Sequence, residues 1–248
     1  MTVTEYIGPA KNIRKRKDQN SRNHFFIFFI SLPTEFFFAE TPSFLSAGHG
    51  NIVRPFAVLP FDFSFFDHVI EEAKKRNLKV IMGTPTATIP AWLAKKYPDI
   101  LSEFEGGKKR SFGGRHVYCF NSATMYAYSE KIVRALVEHY KNEEAIVAWQ
   151  IDNEIGHEGS DICYCENCQK KFQQYLSETF QGQIDRLNDT YGTTFWSQEY
   201  NSFDEIPIPT ETITTHNPAL RQDWERFRSK VIVDFIDFQA KLIKSIAP

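Results

Sequence analysis

The sequence has no hydrophobic run long enough to cross a membrane and no excess of one charge. Its 29 basic and 31 acidic side chains give a formal net charge of −2, so no strong positive field exists to attract nucleic acid or an anionic lipid surface. A membrane-spanning helix needs about 20 apolar residues, whereas the most apolar stretch, HFFIFFISL, covers only residues 24–32. We therefore expect neither a nucleic-acid partner nor a membrane partner, and the composition favours an uncharged substrate.

The same stretch superficially looks like a secretion signal, because a basic run at residues 14–17 precedes it. A signal peptide places its apolar part nearer the start and ends it at a small-residue cleavage site. Pro33 and two polar residues follow here instead, so we predict a cytoplasmic protein.

Cysteine is scarce, and the positions of the four cysteines are informative. Cys163, Cys165 and Cys168 form a CxCxxC pattern, and Cys119 lies in an earlier segment. Disulfides are typical of small secreted proteins, whereas this spacing in a larger chain is typical of thiolates that converge on one metal ion. Four thiolates form a closed tetrahedral shell, so we predict a structural zinc ion, with free or disulfide-paired cysteines as the alternative.

Residues 56–248 carry the patterns of a parallel β/α fold, whereas residues 1–55 have no steady period and stay unassigned. Lys79–Gly83 and Ala145–Ile151 are short, continuous apolar runs, which are typical of buried parallel strands. Between them, Ser122 can cap a helix whose apolar residues recur every three or four positions. Strand, helix and strand in this order indicate an α/β fold.

Two more apolar stripes flank this unit. The first begins at Phe66 and predicts a helix before the first strand. The second runs in steps of three and four from Leu220 to Leu242 and predicts one long amphipathic helix. Four acids within the second segment are assigned to its solvated face: Asp223, Glu225, Asp234 and Asp237.

The residues Asn153 and Glu154 follow the second predicted strand directly. The carboxyl ends of the strands form the active-site face of an α/β barrel. Glycoside cleavage needs a carboxylic acid to protonate the leaving oxygen, and hydrogen bonds to the 2-hydroxyl of the sugar strengthen as the reaction proceeds. The pair suits this chemistry, although an Asn-Glu dipeptide can also simply cap the next helix. Asp152 and His157 flank the pair, but no glycine-framed nucleophile is present to make them a charge relay.

Four segments in order resemble glycoside hydrolase family 42: TPTATIPAWL at residues 84–93, HVYCFNS at 116–122, AWQIDNEIG at 148–156, and the CxCxxC of 163–168. The resemblance covers about residues 56–248 and implies retaining hydrolysis of terminal β-galactosides. It also implies a (β/α)8 TIM barrel, so the expected fold class is α/β with a partial barrel, incomplete at its C-terminus. Zinc on the cysteines and homo-oligomeric full-length relatives are further implications.

The resemblance also implies roles for individual residues. Glu154 matches the acid/base, and Asn153 matches its sugar-contacting neighbour at the end of the fourth barrel strand. Arg115 matches an arginine that reaches sugar hydroxyls, and Trp196 matches a tryptophan that lines the galactose site. From the residues alone, a solvated loop position for Arg115 and a core position for Trp196 remain the alternatives.

A retaining mechanism needs a second carboxylate about 5–5.5 Å from the first, and the family places it on the seventh strand. The remaining acids do not supply it, because they lie in the long helix or, like Asp204 and Glu205, in a proline-flanked loop. We therefore expect a chain that carries the acid/base without the nucleophile and is inactive alone.

Two other functions fit parts of the pattern. A nonenzymatic zinc module, with Lys170 and Lys171 beside its cysteines, would bind nucleic acid with steep salt dependence. An endoglucanase would share the Asn-Glu pair, but the cysteine pattern argues against it.

Overall fold

A computed structural model describes the chain at residues 27–30 and 61–247. The helices and strands in these ranges are β1 (Ile27–Ile30), α1 (Ser64–Lys75), β2 (Lys79–Gly83), α2 (Ala91–Lys96), α3 (Ala123–Tyr140), β3 (Ile146–Gln150), α4 (Glu166–Thr179), α5 (Ile184–Tyr191) and α6 (Pro218–Ile246). None of the helices in this part of the chain is long and apolar enough to cross a membrane.

The three strands form one parallel sheet in the order β1-β2-β3. Both strands predicted from the sequence are confirmed, while β1 lies in the segment that the sequence left unassigned. Ile27 pairs with Lys79 across β1 and β2, and Gly83 pairs with Gln150 across β2 and β3. Within residues 27–30 and 61–247 the sheet stays open and does not close into a barrel.

One core cluster joins β2 to three helices. Val80 and Met82 alternate along β2, so they face the same side, and both are fully buried. They share this cluster with side chains of α1, α3 and α6. Helix α3 begins where the sequence predicts, because the hydroxyl of Ser122 accepts a hydrogen bond from the backbone N–H of Met125 at 3.3 Å.

A second core cluster surrounds the cysteines and contains side chains of α4, α5 and residues 220–235 of α6. Since α6 contributes to both clusters, it connects the sheet to the cysteine-containing part of the fold. The long helix is confirmed, and its N-cap Asn217 accepts hydrogen bonds from Ala219 and Leu220.

The prediction that Asp223 belongs to the solvated face of this helix is wrong, because Asp223 is only 5% exposed. Two partners compensate for its burial. The hydroxyl of Tyr191 donates to one carboxylate oxygen, and Arg226 donates to the other at 2.7 Å.

Phe235 on α6 is expected to be a main contributor to stability. It is fully buried, and the rings of Tyr118, Phe120 and Tyr126 lie around it with centroid distances of 6.2, 5.3 and 5.3 Å. Phe235→Ala should lower the free energy of unfolding by about 3–5 kcal/mol in urea denaturation. The matched control is Val233→Ala on the same helix, where the side chain is 61% exposed and a change within about 0.5 kcal/mol is expected. Equal losses in the two variants would contradict this assignment of the core.

Candidate active site and candidate metal centre

The predicted acid/base Glu154 lies just beyond the carboxyl end of β3, with a side chain that is 57% exposed. Because β2 and β3 are parallel, the loops that follow them meet at the same edge of the sheet. Asp152 and Glu154 both have left-handed backbone, with φ of 56° and 50°. The chain therefore turns sharply just after β3, where the polar residues Asp152, Asn153 and Glu154 lie.

Arg115, in the loop after β2, contacts Glu154 directly. Its Nη1 donates to Glu154 Oε2 at 2.6 Å, and its Nη2 lies 3.4 Å from Glu158 Oε2. The hydrogen bond from Arg115 lowers the pKa of Glu154 below its ordinary value. In this arrangement Glu154 is a carboxylate, which is the form needed by a general base, whereas a general acid must first take up a proton.

The two predicted sugar contacts beside this pair differ in position. Asn153 accepts a hydrogen bond from Gln150 at 3.3 Å through its side-chain oxygen, which leaves its amide N–H groups without a partner among the described residues. Trp196 lies in the 3₁₀ turn Phe195–Ser197, is 59% exposed and packs on Phe195 at 4.6 Å. Within residues 61–247 no hydrogen bond or ring contact joins Trp196 to Glu154. The core alternative for Trp196 is wrong, since its indole is exposed.

Sequence reasoning missed a buried pair beneath the turn. His116 Nε2 lies 2.7 Å from Asp152 Oδ1, and the hydroxyl of Thr86 donates to Asp152 Oδ2 at 2.6 Å. The sequence carried no signal for these contacts, because the partners are 36 and 66 positions apart. The interpretation that Asp152 is not part of a charge relay with His157 is compatible with this finding, since its histidine partner is His116.

Most acids considered for the nucleophile are engaged elsewhere. Glu225, Asp234 and Asp237 form ion pairs with basic residues of their own helix. Glu205 accepts hydrogen bonds from Asn201. Among the described residues, Glu158 is the only other acid that forms an ion pair with Arg115.

The four cysteines converge as predicted. Their sulfur atoms all lie within 4.8 Å of one another, all four side chains are buried, and none is in a disulfide. A zinc ion with four sulfur ligands at about 2.3 Å implies sulfur separations of about 3.8 Å. Cys119 lies 3.5 Å from the sulfur atoms of both Cys165 and Cys168, so the cluster fits a tetrahedral ion after a small expansion.

The N–H donors around the sulfur atoms favour the thiolate form, whereas the neighbouring thiols oppose the ionisation of Cys119. Backbone N–H groups of Glu103 and Asn121 donate to Cys163 and Cys119 at 3.3 Å each, and the amide of Asn121 donates to Cys168 at 3.2 Å. Hydrogen bonding with Cys163 raises the pKa of Cys119 well above its ordinary value. Full ionisation of these adjacent thiols would need a cation to offset their mutual repulsion.

Comparison with known proteins places this geometry in context. A sequence profile of glycoside hydrolase family 42, described as β-galactosidase, matches residues 59–248. The chain is 37% identical over 188 residues to β-galactosidase BgaA of Clostridium cellulovorans, covering 76% of this chain and 28% of that protein. It is 39% identical over 187 residues to a β-galactosidase of Thermus thermophilus, covering 75% and 29%.

Solved structures show the same similarity. The β-galactosidase of Halorubrum lacusprofundi superposes with a TM-score of 0.73 at 37% identity, covering 75% of this chain and 28% of that structure. The β-galactosidase of the psychrophilic Marinomonas ef1 gives a TM-score of 0.72 at 35% identity, with coverage of 75% and 28%. The chain thus spans less than a third of the length of these relatives.

Proposed function

Because this chain belongs to glycoside hydrolase family 42, we propose that it supplies the acid/base part of a retaining β-galactosidase site. The observation that carries the proposal is the placement of Glu154: it is exposed, directly beyond the carboxyl end of a parallel strand, and paired with an arginine from the neighbouring loop. The open sheet β1-β2-β3 is, in this proposal, part of a (β/α)8 barrel, the fold whose active sites form at that end of the strands.

Glu154 would act twice in the retaining mechanism. It first protonates the glycosidic oxygen as the bond to the leaving group breaks, and it then removes a proton from the water that hydrolyses the glycosyl-enzyme intermediate. The ion pair with Arg115 suits the second role, since it favours the carboxylate. For the first role, the guanidinium of Arg115 would hydrogen-bond to sugar hydroxyls instead of to Glu154. The pKa of Glu154 would then rise, because the carboxylate has lost this donor.

Asn153 and Trp196 complete the proposed galactose contacts. Support for Asn153 is that its amide N–H groups have no partner among the described residues, so they are available to a sugar hydroxyl. Support for Trp196 is its exposed indole, whose face can pack on the apolar C–H surface of a sugar ring.

We also propose that Cys119, Cys163, Cys165 and Cys168 hold a structural zinc ion. The bound ion would neutralise the thiolates and cross-link the loop after β2 to the start of α4, without a position for a reactive water. Support comes from the sulfur separations, the burial of all four residues and the N–H donors around them. The nucleic-acid alternative gains no support, because Lys170 is paired with Glu166 and Lys171 with Gln174.

The purified 248-residue chain is expected to contain one zinc ion per chain and to leave an activated nitrophenyl β-galactoside unhydrolysed. The reason is that the family resemblance places the nucleophile on a seventh barrel strand, whereas the described residues form three strands. The measurement is metal analysis and a hydrolysis assay on the same sample. Hydrolysis that disappears in Glu154→Gln would contradict the missing nucleophile, and a folded chain without zinc would contradict the metal site.

A further inference from the structure

A buried network beneath the Asn153–Glu154 turn has no part in the chemistry proposed above. Asp152 and His116 are 2% and 1% exposed. Asp152 faces three donors: His116 Nε2 at 2.7 Å, the hydroxyl of Thr86 at 2.6 Å and the backbone N–H of Asn153 at 2.6 Å. Two of these come from the loops between β2 and α3, so the carboxylate links those loops to the turn after β3.

The contact between His116 and Asp152 has a defined direction. Nδ1 of His116 is buried and has no partner among the described residues. A protonated Nδ1 would be a buried donor without an acceptor, which costs folding free energy. An unprotonated Nδ1 is only an acceptor without a donor. The proton therefore belongs on Nε2, where it is donated to Asp152.

The backbone of this region needs external support. His116, Asp152 and Glu154 all have positive φ, of 49°, 56° and 50°, in a region that side-chain-bearing residues rarely adopt. Such a conformation persists only where the surrounding contacts impose it. That constraint comes from the three donors to the Asp152 carboxylate and from a hydrogen bond that the backbone N–H of Asp152 donates to the hydroxyl of Thr84 at 2.8 Å.

The buried pair and the exposed ion pair connect the same two loops. His116 follows Arg115 directly, and Asp152 precedes Glu154 by two positions. Exposed ion pairs between long side chains are weak and do not fix a loop by themselves. The alignment of Arg115 with Glu154 therefore depends on the buried contact next to it.

We propose that Asp152, held by His116 and Thr86, is a positioning residue that fixes the left-handed turn at Asn153–Glu154 and thereby keeps Glu154 opposite Arg115. The importance of this alignment rests on the proposed acid/base role of Glu154. The alignment itself can be tested without any turnover.

The test is a ¹³C NMR titration of the Glu154 carboxyl group in the full 248-residue chain, with its signal identified by its absence in Glu154→Gln. In the unsubstituted chain the pKa of Glu154 should lie below its ordinary value because of Arg115. Thr86→Val removes the donor to Asp152 at nearly constant shape, and we expect the pKa of Glu154 to rise as far as it does in Arg115→Ala. Thr86→Ser keeps the hydroxyl and should retain the low value.

A purely structural role would give a different result. If Thr86→Val lowers the melting temperature but leaves the pKa of Glu154 unchanged, the proposal is overturned. Should Thr86→Val fail to fold, Asp152→Asn serves as the second variant, and an unchanged pKa there overturns the proposal equally. If an enzyme that combines this chain with the remaining part of a family relative does not hydrolyse β-galactosides, that result would count against the proposed function alone, since the titration does not depend on activity.

Discussion

Replacement of Glu154 by glutamine is expected to lower kcat/KM for an alkyl β-galactoside by about 10²–10⁴-fold, the usual contribution of a general acid/base. The appropriate protein is a hybrid enzyme in which residues 59–248 replace the matching segment of the Clostridium cellulovorans β-galactosidase. Glutamine keeps the shape of Glu154 but cannot transfer a proton. An alkyl leaving group needs that proton, so the acid step should limit the rate.

Two comparisons make this result specific. A nitrophenyl leaving group departs without much protonation, so the first step of its hydrolysis should be far less affected by Glu154→Gln. Glu158→Gln is the matched control, because Glu158 also contacts Arg115, at 3.4 Å, from an exposed position. We expect nearly unchanged rates for that variant, and equal losses in the two variants would remove the reason for assigning the acid/base role to Glu154.

Replacement of Cys165 by serine is expected to release the zinc ion and to lower the free energy of unfolding by more than about 4 kcal/mol, a range in which loss of a metal site falls. Binding of structural zinc is coupled to folding. Its removal leaves the remaining cysteine side chains buried without the metal bonds that offset the free-energy cost of burying them. The measurement combines metal analysis with thermal unfolding, with and without a chelator.

Asn121→Ala provides a graded control for the metal site. It removes the amide that donates to Cys168 at 3.2 Å and leaves all four ligands in place. Loss of such an outer contact typically weakens metal affinity by about 10–100-fold. Zinc should therefore remain bound but be lost to a competing chelator at lower concentration. Retention of zinc and full stability by Cys165→Ser would contradict the proposed ligand set.

The regular elements were predictable where an apolar pattern spans the whole element. The runs that became β2 and β3 are continuous, and the apolar stripe of α6 repeats over about six helical turns, so the period itself predicts each element. Strand β1 has only the four residues Ile27–Ile30, which is too short for any period. Its pairing with β2 is a contact between distant positions, which local pattern cannot reveal.

Burial of polar residues was predicted less well, because it depends on partners from other elements. The pattern of α6 placed Asp223 on the exposed face, yet Tyr191 of α5, 32 positions earlier, supplies a hydrogen bond that makes burial possible. The same reason explains why the pair of His116 and Asp152 was missed. No spacing rule connects two loops that meet only after the strands align.

The candidate site was predictable to the extent that strand ends and local spacing define it. The position of Glu154 follows from the strand before it, and three of the four clustered cysteines follow from the CxCxxC pattern. The ion pair of Glu154 with Arg115 was not foreseen, since the two residues are 39 positions apart. This hydrogen bond lowers the pKa of Glu154 and so favours its carboxylate form, which the spacing in the sequence does not indicate.

The most direct test of the proposed site uses the hybrid enzyme before any substitution is made in it. A folded, zinc-containing hybrid should hydrolyse alkyl and nitrophenyl β-galactosides, because residues 59–248 would supply the acid/base and the relative would supply the nucleophile. A folded, zinc-containing hybrid that hydrolyses neither substrate would contradict the proposal that this chain carries a working half of a β-galactosidase site.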